Sequence, residues 1–178
     1  CLANHFGDEG LATLLTAIEG TSIRSLCGLT EGQTTADFSE QNLAPIDCKI
    51  LAAEYDFCGF IAAISSLDCS QNDAITGKRV IDKDVYVCGE ELEGWVALCS
   101  SLSGSSITSL NFSGCKLNSE SLTSLTDAIK VMAALNAIML DECLLTGTKI
   151  KDKGYSYETI EQLDADLSGF TALCSSLG

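Results

Sequence analysis

The chain is poor in bases, in histidine and in proline, and each shortage excludes something. Lys and Arg number 10 against 25 Asp and Glu in 178 residues, a formal net charge of −15. Nucleic acid and anionic membrane both demand clustered bases to displace counterions, so neither is expected as a partner. A single histidine, His5, rules out chemistry that needs several imidazoles. Pro45 is the one proline. No apolar run approaches the ~20 residues that span a bilayer, so no membrane insertion is expected. What is present is a foldable chain: 46% apolar and 20% charged residues suffice for a core, and the length is that of one domain.

Cysteine is plentiful. Ten residues, an even number, suggest a disulfide framework. Against that, no CxxC pair occurs, and several cysteines stand where a small apolar residue belongs. Buried thiols behave as small hydrophobes. The expectation is reduced core cysteines in the cytoplasm or another reducing compartment, with some bridges as the alternative.

The chain resembles itself. Ile107-Thr-Ser-Leu110-Asn-Phe112-Ser-Gly-Cys115-Lys-Leu117 and Leu135-Asn-Ala-Ile138-Met-Leu140-Asp-Glu-Cys143-Leu-Leu145 share the pattern LxxLxLxxCxL, 28 residues apart. Ile64-Ser-Ser-Leu67-Asp-Cys69-Ser-Gln-Asn72-Asp-Ala74 is a third copy. Ala36–Leu43 and Cys1–Phe6 match its second half. The L-x-L portion has period two, a short strand with one face inward. The Asn or Cys after it turns inward and can bond loop backbone left without partners. Ser119–Met132 then places apolar residues three and four apart, an amphipathic helix with Ser119 as its expected cap; Gly10–Ile18 does the same. Units too small to bury their own apolar face must stack.

This pattern resembles the leucine-rich repeat, in its long ribonuclease-inhibitor-like subclass. The resemblance implies an α/β solenoid, with a curved parallel sheet inside and helices outside. It covers residues 1–178 as a single domain, apart from inserts near 27–35, 78–91 and 148–163. The inserts read as loops or small hairpins and are similar to those of leucine-rich-repeat proteins from unicellular eukaryotes. Two of them precede nearly identical helix starts, Gly94–Leu102 and Gly169–Leu177, which agree at seven of nine positions. Cys1 is expected mid-strand and Gly178 inside a helix, so the chain reads as a fragment of a longer array.

No catalytic constellation assembles. A Cys/His pair would have to use His5, which falls at a non-core loop position. Gly77-Lys78 lacks the remaining residues of a phosphate loop, and the acid pairs Asp82/Asp84 and Asp164/Asp166 lack those of an EF-hand. Neither enzyme activity nor a metal or cofactor is expected.

Outward strand positions stack across copies. The first row is Asp37, Asp68, Asn111 and Met139. The second is Ser39, Ser70, Ser113 and Asp141. The third is Glu40, Gln71, Gly114 and Glu142. Five of the twelve are acids and none is a base. Two readings stand: a concave docking face for a basic protein segment, or an ordinary solvated sheet on an acidic protein. Trp95 and Phe170 read as core anchors, whereas Tyr86, Tyr155 and Tyr157 in the inserts are candidate contacts. The resemblance implies a protein–protein interaction module. The alternative is a structural subunit of a larger complex, with its open ends covered by neighbours.

Overall fold

The computed structural model describes residues 1–4, 6–57, 61–80, 85–88, 91–151 and 159–177. In chain order the elements are α1 (Asp8–Ile18), β1 (Thr35–Asp37), α2 (Pro45–Phe57), β2 (Ser66–Asp68), β3 (Gly77–Val80), β4 (Val85–Cys88), α3 (Glu93–Leu102), β5 (Ser109–Asn111), α4 (Ser119–Ile129), β6 (Ala137–Met139), β7 (Lys149–Lys151), β8 (Thr159–Gln162) and α5 (Ser168–Leu177). The fold is mixed α/β. Its main sheet is parallel, in the order β1-β2-β5-β6. Helices α2, α3, α4 and α5 neighbour one another in that same sequence order. Parallel strands need long crossovers, and α2, α3 and α4 supply them. The segments between β2 and α3 and between β6 and α5 each hold an antiparallel hairpin, β3–β4 and β7–β8.

The strands are three residues long because only their middle residue faces the core. Ala36, Leu67 and Leu110 are buried and share one register with Ile138. The next inward residues, Phe38, Cys69 and Phe112, are also buried. Helix α4 meets them with Leu122, Leu125, Ala128 and Ile129, the apolar spacing seen in the sequence. Its cap is Asn118, not Ser119: the Asn118 side chain accepts from the Ser121 N–H at 3.0 Å, while Ser121 Oγ accepts from the Asn118 N–H at 2.9 Å. The two bonds close a capping box between Asn118 and Ser121, which leaves Ser119 inside the helix and buried. Trp95 is a core anchor as expected. It is fully buried, donates to the Ser121 carbonyl at 2.8 Å and meets Phe112 edge-on with centroids 5.0 Å apart. Phe170 is half-buried against the same cluster.

The two similar helix starts do the same job. A Cβ on Gly94 would lie 2.0 Å from the Pro45 carbonyl oxygen at the start of α2. A Cβ on Gly169 would lie 2.1 Å from the Ser119 carbonyl oxygen at the start of α4. Glycine is required because backbone meets backbone.

The structure corrects three expectations. Cys1–Asn4 forms a turn, not a strand: the Cys1 ammonium donates to the Leu26 carbonyl at 2.6 Å and the Ala3 N–H to Asp47 Oδ1 at 2.8 Å, so these donors are not spent on a ladder. The segment Ile23–Gly32, whose Ile23-Arg-Ser-Leu26 spacing reads as the start of a strand that breaks and resumes at Ala36–Leu43, opens no strand, and pairing begins only at Thr35. Buried Glu54 draws that segment aside, accepting from the Ser25 hydroxyl and from the Leu26 N–H at 2.6 Å. A buried carboxylate must find donors, and these are the ones within reach. The third correction concerns the outward rows and follows below.

Gly94→Ala and Gly169→Ala should each destabilise the chain by about 2 kcal/mol or more, since the clash is with backbone that cannot step aside. Gly104→Ala, where a Cβ meets nothing within 4 Å, should change stability by less than about 0.5 kcal/mol. Urea melts of the three variants measure this.

Candidate functional site

The first outward row forms as expected, with Asp37, Asp68, Asn111 and Met139 paired in register on β1, β2, β5 and β6. The other two rows do not lie on strands. Ser39, Ser70, Ser113 and Asp141 begin turns, and Glu40, Gln71, Gly114 and Glu142 occupy the left-handed region with φ of 57°, 58°, 72° and 56°. Ala3 does the same at 57°. The chain must reverse direction here to reach the next helix, and a left-handed residue makes that reversal in one step. The rows still stack: Glu40 N–H donates to the Ser70 carbonyl at 3.0 Å, Gln71 to Ser113 at 2.7 Å and Gly114 to Asp141 at 2.8 Å.

Beneath the turns the Asn or Cys of the pattern points inward. Asn72 Nδ2 donates to the Phe38 carbonyl of the neighbouring turn at 3.0 Å and to its own Cys69 at 2.8 Å. Its Oδ1 accepts from the Gln41 and Leu43 N–H groups at 3.1 and 2.9 Å. Cys115 Sγ donates to the Cys69 carbonyl at 3.1 Å, and Cys143 Sγ to Phe112 at 3.3 Å. Phe38, Cys69 and Phe112 are the same position of successive turns. One side chain per turn therefore ties it to the one before.

The acids of the face are partly spent on this architecture. Asp37 Oδ1 accepts from the Ser39 N–H at 3.0 Å and its hydroxyl at 2.7 Å, which holds the Asp37 carboxyl below its ordinary range. Asp68 accepts from the Ser70 N–H at 2.9 Å and from Asn111 Nδ2 at 2.9 Å. Asp141 Oδ2 accepts from the Ser113 hydroxyl at 3.5 Å. Glu40 and Glu142 are exposed at the turn tips. Gln71 is not a simple outward residue: its amide covers Gly114, where a Cβ would fall 2.6 Å from it. Met139 is 40% exposed on the last strand. Tyr86 stands in β4, paired in register with Arg79. Tyr155, Tyr157 and His5 lie outside the described residues.

The turns leave an open groove of about 600 Å³, lined among others by Gln71, Asp73, Lys116, Glu142 and Leu144. Lys116 Nζ lies 3.9 Å from Asp73 Oδ2. The sequence reading missed this base because it counted only three positions per turn. Lys116 falls two residues beyond the third, in a second left-handed residue with φ of 50°. Among the described residues no three His, Cys, Asp or Glu side chains converge as a metal site. No family model, characterised protein or solved structure matches the chain.

Cys48, Cys69, Cys99 and Cys115 are buried thiols with no bridge. Burial pushes all four pKa values up, Cys115 to about 12. Cys1 and Cys174 are exposed thiols.

Two outcomes follow from these contacts. Asn72→Ala strands two N–H groups and a carbonyl and should cost at least about 3 kcal/mol, against about 1 kcal/mol for removing one neutral thiol bond in Cys115→Ala; equal losses in urea melts would contradict the tie described here. The thiols also set an alkaline limit. A thiol with a raised folded-state pKa contributes stability that is intact below its unfolded value, roughly 8.5, and is lost as pH climbs toward the folded one. Unfolding free energy should fall between pH 9 and 11, with each such thiol adding up to about 1.4 kcal/mol per pH unit. Cys115→Ala should flatten that slope relative to the parent chain.

Proposed function

We propose that the chain is a leucine-rich-repeat solenoid and works as a non-enzymatic protein–protein interaction module, docking a partner on the solvent face of its parallel sheet and on its inserts. The observation that carries the reading is the register. Asp37, Asp68, Asn111 and Met139 stand side by side, and the turns beyond them share one backbone conformation. Strands about 4.8 Å apart present a regular, pre-ordered surface, and a surface that needs no ordering on binding favours recognition. Exposed Glu40 and Glu142 make a basic protein segment the fitting partner for this face.

Charge reversal at the turn tips tests the reading without touching the turn bonds. The double variant Glu40→Lys/Glu142→Lys should weaken a Lys-rich peptide at least tenfold and flatten the salt dependence of its binding, measured by calorimetry at two ionic strengths. Unchanged affinity at both would remove the sheet face from the proposal.

A second reading, a structural subunit inside a larger assembly, has its own support. Ile138, Leu140, Cys143 and Leu145 are only half-buried where their counterparts on inner strands are fully buried. Val131, Met139, Ile160, Leu163, Leu167 and Leu177 expose 40 to 65% of their surface toward the end of the chain. Such a concentration is unusual for a surface left to water. Concentration-dependent self-association in sedimentation runs favours this reading, and a monodisperse monomer favours the first.

A further inference from the structure

Helices α3 and α5 carry the same apolar stripe, and only α3 has it covered. Leu92, Trp95, Cys99 and Leu102 are spaced three, four and three apart, and so are Leu167, Phe170, Cys174 and Leu177. That spacing gathers each set on one side of its helix, as in the seam between two packed helices. In α3 the seam is shut. Leu92 is half-buried, and Trp95, Cys99 and Leu102 are buried in the core that α3 shares with α4 and β5. Trp95 reaches the Ser121 carbonyl of α4 and meets Phe112, just past β5, edge-on. In α5 the same positions are open. Leu167 and Leu177 are 46% and 62% exposed, Cys174 is exposed and Phe170 is half-buried. Gly169 and Leu173, on the side that meets α4, are buried as their counterparts Gly94 and Leu98 are. One side of α5 is docked and the other is bare.

The chemistry of the bare side selects its cover. The stripe is self-complementary: with a copy of α5 laid antiparallel against it, Leu167 faces Leu177 of the second copy and Phe170 faces Cys174. The helix carries no charge from Ser168 to Leu177, in a chain of net −15, so two copies meet here without bringing acids into the seam. The nearest acids along the chain, Asp164 and Asp166, precede the helix, and Asp166 is taken up by the Ser168 N–H and hydroxyl at 2.9 and 2.7 Å. The other end of the helical layer offers no such stripe. There α1 buries Leu11 and Ile18 and turns Ala12, Thr13, Thr16 and Ala17 outward, so a second α5 fits the stripe better than the far end of another copy does. Half-buried Ile138, Leu140 and Leu145 belong to the last strand and its turn, at the same end, and widen the face beyond one helix.

We propose that α5 is the seam of a two-fold dimer, its open stripe covered by that of a second copy running antiparallel. The proposal rests on the assembly reading and names the neighbour. Because both copies use the same patch, the contact closes at two and does not propagate. Apolar contact between like-charged molecules also has a signature. Added salt screens their repulsion and tightens the pair, whereas it would loosen an ionic contact.

Sedimentation equilibrium of the full chain tests this at concentrations up to about 200 μM, with reductant present so that exposed Cys1 and Cys174 form no bridges. The expected result is a monomer–dimer equilibrium that tightens between about 0.05 and 0.5 M salt. Leu167→Lys and Leu177→Glu, both at positions exposed in the single chain, should each weaken the dimer about tenfold or more. Both substitutions in one chain should recover about threefold, because an antiparallel seam brings the opposite charges face to face. Circular dichroism melts identify any variant that fails to fold. The parent chain then carries the test through a bis-maleimide with a reach of about 10 Å, which should link Cys174 to its copy, a product lost in Cys174→Ser and kept in Cys1→Ser. A monomer at every concentration overturns the proposal and favours the sheet-face reading. Dimers indifferent to all three variants overturn the proposal and leave the assembly reading standing on some other contact. Open-ended polymers, dimers that salt dissolves, or a double variant no tighter than either single one also overturn it.

Discussion

One buried carbonyl per turn governs the rest of the structure. When a strand ends against a core, its last inward residue leaves a C=O that water cannot reach. Phe38, Cys69 and Phe112 are in that position, and each is served by a side chain from the following turn: Asn72, Cys115 and Cys143. Cys69 also accepts from Asn72 Nδ2 and Phe112 from the Cys115 N–H, so Asn72, which serves the Phe38 carbonyl, is the donor whose place matters most. The donor must sit a fixed number of residues past the strand, which sets the turn. The turn needs its left-handed residue, which sets where the next helix begins. A local polar requirement thus propagates into the spacing of both layers.

The helical layer obeys a different constraint. Helices α2 and α3 meet where Gly94 faces the Pro45 carbonyl, and α4 and α5 where Gly169 faces that of Ser119. Both glycines open helices that follow a hairpin. A crossover lengthened by an insert must still return its helix to the same layer, and bare backbone at the helix start permits the close approach. Lys49 adds a polar clamp nearby, bridging Asp8 of α1 and Glu93 of α3 at 2.7 and 3.2 Å. Exposed ion pairs contribute little to stability.

The sequence made the strand register legible, and the reason is physical. A period of two with Leu at Leu67 and Leu110 leaves a single way to bury both, since a one-residue slip would turn them outward. The same logic found the inner face of α4 and the fate of Trp95. It did not find the cap, because Asn118 and Ser119 are both good caps and it overlooked that Ser121, three residues past Asn118, completes a capping box with it. It did not find the left-handed turn tips either. Period-two counting continued past Ser39, Ser70 and Ser113 into residues that no longer alternate. Nor did it anticipate Glu54, whose effect on Ser25 and Leu26 depends on burial across 28 residues of chain. Patterns report what is periodic, and all three misses are events at which periodicity stops.

The acidity of the face changes meaning once those stops are located. Taken as strand positions, five carboxylates form one negative field. In the structure Asp37 and Asp68 close their own turns with Ser39 and Ser70, Asp68 also holds Asn111, and Asp141 meets Ser113. Such bonds occupy carboxylate lone pairs that a partner would otherwise use. Global acidity therefore overstates what the sheet offers a partner, and the exposed tips Glu40 and Glu142 carry the usable charge.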